Sequence, residues 1–310
     1  MKIKKWGSIF FLSLFLLLAA CGDNDGTSAD TSNAETIHVV TTIAQIGEPL
    51  SIIGGDKLTV ESLMGPSVDP HLYNPTQSDI SKVAEADIIF YNGLDLEANM
   101  VEVFKSISDE KPVLAVGETL PDESILIDEA GAIDPHIWFD INLWQQALDA
   151  AVEELKEYSP ENAELFEKNK QAYFEKLDAL KQDAEKLTEI PEKQRVLVTA
   201  HDAFGYFGHM NGLEVIGLQG LSTEDEVGIS DINDTIAIIK EYEIPAIFVE
   251  SSINQDAIQA VIEGAQSDGI NVELGGELFS DAMGEPGTEE GTYVGMYKHN
   301  IEVIYEALNK

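Results

Sequence analysis

Two similar tetrapeptides that share the sequence Asp-Pro-His place a histidine directly after a proline. They are VDPH at residues 68–71 and IDPH at residues 133–136. Because proline fixes its own φ angle, His71 and His136 are presented with little conformational freedom. A metal site needs donors that are placed in advance, and imidazole is a common transition-metal ligand. The aspartate before each proline can accept a backbone N–H or orient a neighbouring side chain.

Two further donors follow predicted strands in the second half of the chain. His201 ends the strand sequence RVLVTAH, and Asp281 follows Gly275-Gly276, which we predict to be a turn. Ligands of open parallel α/β sheets bind beyond the carboxyl ends of the strands. With two donors in each half of the chain, we expect a site in the cleft between two lobes. Since imidazole binds a metal only when neutral, affinity should fall as the pH drops through about 6.5.

Other candidate ligands have less support. His209 is the strongest competitor, because it lies eight residues after His201 in a predicted helix. His38 falls inside a predicted strand, and His299 falls on the polar side of the C-terminal helix. Glu250 ends the predicted strand AIFVE and is a candidate acceptor for the ring of a ligand histidine; the alternative is a solvated strand end. The sequence contains no HExxH, GxSxG or glycine-rich phosphate-binding motif.

Eight short runs rich in Val, Ile and Phe predict buried strands that alternate with helical patterns. This alternation is typical of an α/β fold with mostly parallel sheets. The predicted strands are 37–40, 58–64, 86–93, 111–117, 195–201, 213–218, 245–250 and 271–274.

A long helical stretch, residues 142–189, separates the two groups of strands, and Pro160 divides it. Proline suits the first turn of a helix, so the second helix should start there and run for about 28 residues, or about 42 Å. Such a helix is longer than a crossover within one domain. We therefore predict an N-terminal lobe (37–159), a rigid linking helix (160–189) and a C-terminal lobe (190–310); the alternative is a surface helix within one domain.

The N-terminal residues 1–20 predict a secretory signal. Lysines precede an apolar run at residues 9–20, which is too short to span a bilayer. The run ends LAACG, which resembles the lipobox of bacterial lipoproteins and predicts that Cys21 is lipidated. Residues 21–36 would then be a flexible tether on the extracytoplasmic face of the cell membrane. Because Cys21 is the single cysteine, the rest of the chain can form no disulfide or thiolate metal site.

The charge of the chain excludes one class of partner. Lys and Arg number 18 against 57 Asp and Glu, which gives a formal net charge of −39. A protein that binds nucleic acid needs a basic surface, so we expect no such partner. Strong repulsion between acidic surfaces favours a soluble monomer.

Four segments, in order, resemble the metal-binding solute-binding proteins of bacterial ABC importers, also called the cluster A-I or zinc-uptake family. They are VDPHLYNPTQSDI (68–80), IDPHIWFD (133–140), VTAHDAFGYFG (198–208) and GGELFSDAMGEPGTEEGTYVGM (275–296). The resemblance covers residues 37–310 and the lipoprotein signal. It implies two α/β lobes joined by one rigid helix, with His71, His136, His201 and Asp281 as metal ligands.

The resemblance implies a receptor, not an enzyme, that delivers a divalent transition metal to a permease and its ATPase. Zinc receptors commonly carry a His-rich acidic loop, whereas the acidic residues 118–133 contain no histidine. Many manganese receptors carry Glu at the position of His201. A histidine at position 201 together with a loop that contains no histidine is most similar to manganese-type receptors with a third histidine. We therefore expect Mn²⁺ as the bound ion, with Zn²⁺ and then Fe²⁺ as the next candidates. Two alternatives are a mononuclear zinc hydrolase and a metal-dependent surface adhesin. Catalytic zinc normally has three protein ligands and one bound water, whereas four protein ligands are expected here, which disfavours the hydrolase.

Overall fold

The computed structural model describes residues 36–224 and 226–310. The predicted signal sequence, the lipidation site Cys21 and residues 22–35 of the tether lie outside the described residues. In the described part, strands and helices alternate as an α/β fold requires. No helix of this part is both long enough and apolar enough to cross a membrane.

All eight predicted strands are confirmed, with most of them shorter than the apolar run that predicted them. The strands are β1 (Ile37–Thr41), β2 (Leu58–Ser62), β3 (Ile88–Tyr91), β4 (Val113–Ala115), β5 (Val196–His201), β6 (Glu214–Gln219), β7 (Ala246–Glu250) and β8 (Glu273–Leu278). The first four form one parallel sheet in the order β2-β1-β3-β4. The others form two parallel pairs, β5-β6 and β7-β8, and β5 lies in contact with β7.

The strands differ in burial. Strands β5 and β7 are buried along their whole length, as predicted. Strands β2 and β8 expose several side chains, because each pairs on one side only. For these two edge strands, and for the edge strands β4 and β6, which are mostly part-exposed, the prediction of a buried strand is wrong.

Nine α-helices accompany the strands in the described residues. They are α1 (Ala44–Gly54), α2 (Gln77–Glu85), α3 (Val101–Ile107), α4 (Ile141–Tyr158), α5 (Ala163–Ala184), α6 (Gly205–Asn211), α7 (Ile229–Tyr242), α8 (Asp256–Ser267) and α9 (Tyr293–Leu308). Short 3₁₀ turns join several of them, among them Ile137–Phe139 before α4.

One long helix connects the two lobes. The predicted helix from Pro160 is α5, an α-helix of 22 residues continued by 3₁₀ turns at Pro160–Asn162 and Glu185–Glu189. Its apolar stripe is buried against α4, α1 and α9, so it packs on helices from both halves of the chain. The structure is thus a two-lobed α/β fold with a long connecting helix, as predicted.

The predicted turn at Gly275-Gly276 is wrong, because both glycines lie inside β8. A Cβ atom on Gly275 would lie 2.6 Å from the ring of Phe248 in β7. Gly276 has φ +138°, which other residues rarely adopt. The two glycines therefore do not form a turn but allow β8 to pair closely with β7. The chain leaves the sheet only after Leu278.

Helix caps fix the chain after each Asp-Pro-His segment. Thr76 and Asp79 form a capping box at the start of α2, five residues after His71. Asp140 caps α4 by accepting hydrogen bonds from the backbone N–H groups of Asn142 and Leu143. Each histidine thus lies on a short segment whose far end is anchored to a helix.

Candidate metal centre

Four buried side chains meet beyond the carboxyl end of β5. They are His71, His136, His201 and Asp281, and one donor atom from each lies within 4.8 Å of the others. Nε2 of His136 is 3.4 Å from Nε2 of His71 and 3.3 Å from Oδ1 of Asp281. Oδ2 of Asp281 is 3.2 Å from Nε2 of His201 and 3.8 Å from Nε2 of His71. Donors about 2.1 Å from a tetrahedral ion stand roughly 3.4 Å apart, so the donor atoms of the four side chains have a spacing able to hold a transition metal.

The repeated tetrapeptide forms the same turn twice. Oδ1 of Asp69 accepts a hydrogen bond from the backbone N–H of His71 at 2.9 Å. Oδ1 of Asp134 accepts from the backbone N–H of His136, also at 2.9 Å. The aspartate and the proline between them therefore fix the backbone that presents each histidine.

Carboxylates orient two of the three imidazole rings. Nδ1 of His136 lies 2.7 Å from Oδ1 of Asp134. Nδ1 of His201 lies 2.6 Å from Oε2 of Glu250, whose Oε1 also accepts the backbone N–H of His201 at 2.8 Å. A carboxylate at Nδ1 favours the tautomer with its proton on that nitrogen, which leaves the Nε2 lone pair free for a metal.

His71 differs from the other two histidines. Among the described residues no carboxylate contacts its Nδ1, and Oδ2 of Asp69 accepts instead from Oγ1 of Thr223 at 2.6 Å. His71 is also the most exposed of the four, at 5 %. A surface depression of about 240 Å³ lies outside it and is lined in part by Asp95 and Ile133. The site therefore meets solvent on the His71 side.

The charges at the site favour a carboxylate at Asp281 and bound protons on two histidines. Burial raises the pKa of Asp281, but the charge of His201 and the contacts with His136 and His201 outweigh it and hold the pKa well below its usual range. Burial lowers the pKa of His71 to about 4. Burial also opposes charge on His136, but Asp134 and Asp281 raise its pKa to about 9. Glu250 and Asp281 likewise overcome burial and raise the pKa of His201 well above its ordinary value.

Several polar atoms at the centre lack hydrogen bonds. Both carboxylate oxygens of Asp281 and Nε2 of His201 are buried and have no hydrogen-bond partner among the described residues. Unpaired buried polar atoms are costly, and native structures contain few of them. A cation bound among the four side chains would satisfy all of these atoms at once. The donor chemistry and the geometry thus both fit a metal ion, while ligation by these four residues stays a prediction.

The other histidines lie outside this cluster. His209 is exposed on α6; the eight-residue spacing from His201 does not put it on the same face, because His201 lies in a strand. His38 is exposed on β1. His299 is half-buried rather than solvated, with its ring centroid 5.0 Å from that of Phe279.

Sequence reasoning missed three residues that hold the site from a distance. Gln45 and Trp138 bind backbone carbonyls beside Asp281, and Thr223 binds Asp69. Each partner lies more than 100 residues away in the sequence, so no local spacing marks the contact. The only available signal for Trp138 was its place within the IDPHIWFD segment.

Comparisons with known proteins agree with this geometry. The sequence profile of the family described as zinc-uptake complex component A, periplasmic, matches residues 39–307. The manganese-binding lipoprotein MntA of Bacillus subtilis is 45% identical over 294 residues, which cover 94% of this chain and 95% of that protein. The zinc-binding protein TroA of Treponema pallidum is 46% identical over 273 residues, which cover 87% of this chain and 88% of that protein.

Solved structures show the same similarity. The periplasmic zinc-binding protein TroA from Treponema pallidum superposes with a TM-score of 0.87 at 45% identity, covering 89% of this chain and all of that chain (100%). The Fe(III)-bound YtgA from Chlamydia trachomatis has a TM-score of 0.79 at 29% identity, covering 88% of this chain and 98% of that chain. Proteins of this fold and similarity are thus described with manganese, zinc or iron.

Proposed function

The chain belongs to the zinc-uptake complex component A family, and from that premise we propose that it is the substrate-binding lipoprotein of an ABC importer for a divalent transition metal. It captures one ion in the cleft between its lobes and delivers it to the permease. The observation that carries this proposal is the convergence of three imidazoles and one carboxylate within 4.8 Å. The ion is cargo, so the site must both bind it and let it go.

The donor set selects the class of metal. Three neutral imidazoles and a carboxylate suit Zn²⁺, Mn²⁺ or Fe²⁺, whereas Mg²⁺ and Ca²⁺ prefer oxygen ligands alone. Cu⁺ prefers thiolate and thioether ligands, which the four side chains do not offer. The expected cargo is therefore a first-row divalent transition metal.

Manganese is the proposed physiological ion, with zinc as the second candidate. The two relatives of almost equal identity are named for different metals, so the choice rests on this chain. Residues 118–133 contain no histidine, unlike the loop common in zinc receptors. The two oxygens of Asp281 face different imidazoles, at 3.3 Å from His136 and 3.2 Å from His201. A carboxylate so placed can bind through both oxygens, and the higher coordination number that results favours Mn²⁺ over tetrahedral Zn²⁺.

The site supports a receptor better than a hydrolase. A catalytic zinc keeps one position open for water beside three protein ligands. Here four buried side chains converge, and none of the described residues completes a recognisable acid–base motif beside them. No feature of the described surface favours the adhesin alternative.

The proposed partners are a permease and its ATPase, and the proposed location is the extracytoplasmic face of the cell membrane. The name lipoprotein for relatives such as MntA supports an anchor at Cys21. The strongly acidic chain is proposed to act as a monomer.

The experiment that tests the proposal is metal titration of ligand variants. His71→Ala and Asp281→Ala should each weaken Mn²⁺ and Zn²⁺ binding by at least about a hundredfold, because each removes a donor and leaves polar atoms unpaired. The controls are His38→Ala and His299→Ala, whose side chains lie outside the cluster and should leave binding unchanged. Calorimetry should also give one ion per molecule. Wild-type affinity in the His71→Ala protein would contradict the assignment.

A further inference from the structure

The loop that carries Asp281 is held by the opposite half of the chain. It begins after Leu278, where β8 ends. The side-chain amide Nε2 of Gln45, in α1, donates to the backbone carbonyl of Asp281 at 2.9 Å and to that of Ser280 at 3.2 Å. Nε1 of Trp138 donates to the same Ser280 carbonyl at 3.2 Å. Two side chains from the N-terminal half thus bind the backbone at a candidate ligand from the C-terminal half.

The burial of Gln45 indicates that the two N–H groups of its Nε2 atom have a structural role. Its side chain is fully buried, and its Oε1 has no hydrogen-bond partner among the described residues. An unpaired buried amide oxygen costs free energy, so an apolar residue would suit simple packing better. The contacts that offset this cost are those from Nε2 to the two carbonyls.

Asp281 depends on its backbone more than the other ligands do. Asp134 hydrogen-bonds to the ring of His136, and Glu250 accepts the backbone N–H of His201 and lies 2.6 Å from its ring. The carboxylate of Asp281, by contrast, contacts only the imidazoles of the cluster among the described residues, and no other side chain holds it. Its direction toward the three imidazoles is therefore set by the peptide groups on either side of its Cα atom.

The neighbouring anchors of this loop lie within its own half. Asn300 binds the carbonyl of Phe279 at 2.7 Å, and Ser251 binds that of Ala282 at 3.3 Å. These contacts persist whatever the distance between the lobes. Among the backbone carbonyls of this loop that the structure describes, only those of Ser280 and Asp281 accept hydrogen bonds from side chains of the other half.

We propose that Gln45 is a positioning residue that fixes the backbone of Asp281 only while the two lobes are in contact. When the lobes separate, both hydrogen bonds from Nε2 break and the carboxylate loses its alignment with the imidazoles. Lobe opening and loss of the metal are thereby coupled in part through the side chain of Gln45. The inference rests on the proposed function as a metal receptor.

The test is the rate at which bound Mn²⁺ or Zn²⁺ dissociates into a chelator, followed by stopped flow. Gln45→Met keeps the length of the side chain without its donors, and Gln45→Glu replaces the donors with an acceptor that repels the carbonyls. Both variants should release metal about tenfold faster or more, since two hydrogen bonds are lost. The association rate should change little. The visible absorption of bound Co²⁺, which reports ligand geometry, should also shift.

The matched control is Gln146→Met, which removes an amide that binds a carbonyl within its own helix α4. It should leave the dissociation rate unchanged. A wild-type rate in folded Gln45→Met and Gln45→Glu overturns the inference, while failure of the wild-type protein to bind either metal overturns the proposed function instead. If thermal unfolding without metal shows that both variants are unfolded, Gln45→Asn replaces them. Its amide is one methylene too short to reach both carbonyls, and a wild-type rate there also overturns the inference.

Discussion

Asp134 holds His136 twice through one oxygen atom. Its Oδ1 accepts the backbone N–H of His136 at 2.9 Å and lies 2.7 Å from Nδ1 of the ring. The first contact fixes where the histidine leaves the turn, and the second fixes the rotation and the tautomer of its imidazole. Asp69 has only the first of these contacts with His71. Two copies of the same Asp-Pro-His sequence therefore hold one ligand rigidly and leave the ring of the other less constrained.

This difference predicts unequal effects of two matched substitutions. Asp134→Asn should weaken metal binding by about 10- to 100-fold, because it removes the negative charge that orients His136 and raises its basicity. Asp69→Asn alters the same turn but no contact with the His71 ring, so its effect should be smaller. Calorimetric titration of both variants with Mn²⁺ measures the difference. Equal losses would mean that the turn, and not the ring contact, sets the affinity.

Metal affinity should change with pH even well above the ordinary pKa of histidine. The sequence predicts a fall through about pH 6.5, the ordinary imidazole pKa. In the structure the pKa of His136 is raised to about 9, and that of His201 is raised as well. At neutral pH and without metal, both rings are then charged, with a proton on each ring nitrogen. The metal must displace the proton from Nε2 of each ring. Affinity should therefore rise with pH up to about 9, and binding at neutral pH should release protons.

Titrations in buffers of different ionisation enthalpy measure this proton release. The Asp134→Asn variant is the control, because loss of the carboxylate lowers the pKa of His136 and should reduce the number of protons released. Affinity that is constant from about pH 7 to about pH 9 would contradict the prediction.

The anchoring prediction concerns Cys21, which lies outside the described residues. Stable membrane attachment requires more than one acyl chain, each contributing about 0.8 kcal/mol per buried CH₂ group. Cys21→Ser should therefore accumulate as an unprocessed precursor or be released from the membrane. Labelling with palmitate and fractionation of cells test this. A Cys21→Ser protein that is still processed and still takes up palmitate would refute the assignment.

Local patterns in the sequence predicted the strands and the four candidate ligands, because those features depend on neighbouring residues. Proline next to His71 and His136 is visible in the sequence, and so is the strand that ends at His201. The glycines inside β8 were misinterpreted, since their role depends on Phe248 in another strand. The contact between Gln45 and the carbonyl of Asp281 joins residues 236 positions apart. Hydrophobic periodicity reports which face of an element is buried and not what the element packs against.

Metal selectivity should depend on His201 and on the carboxylate behind it. Many manganese receptors of the family carry Glu at this position, so His201→Glu should lower Zn²⁺ affinity more than Mn²⁺ affinity, because zinc gains more from imidazole. In this protein, however, Glu250 lies 2.6 Å from the ring of His201. A glutamate introduced there would meet both Glu250 and Asp281 in a buried site, and the repulsion would weaken binding of either metal. The informative variant is thus His201→Glu combined with Glu250→Gln, with Glu250→Gln alone as its control.

Relative to that control, the double variant should lose more affinity for Zn²⁺ than for Mn²⁺ in competition titrations. Equal losses would show that the third ligand does not set selectivity in this chain.

The same pair of variants can be tested in cells that lack the wild-type protein and grow in chelated medium. Because uptake depends on metal availability and release as well as on affinity, we expect added Mn²⁺ to restore growth with the wild-type protein and with the double variant. Rescue of the wild-type strain by Zn²⁺ alone would overturn manganese as the proposed cargo, whatever the order of affinities in solution.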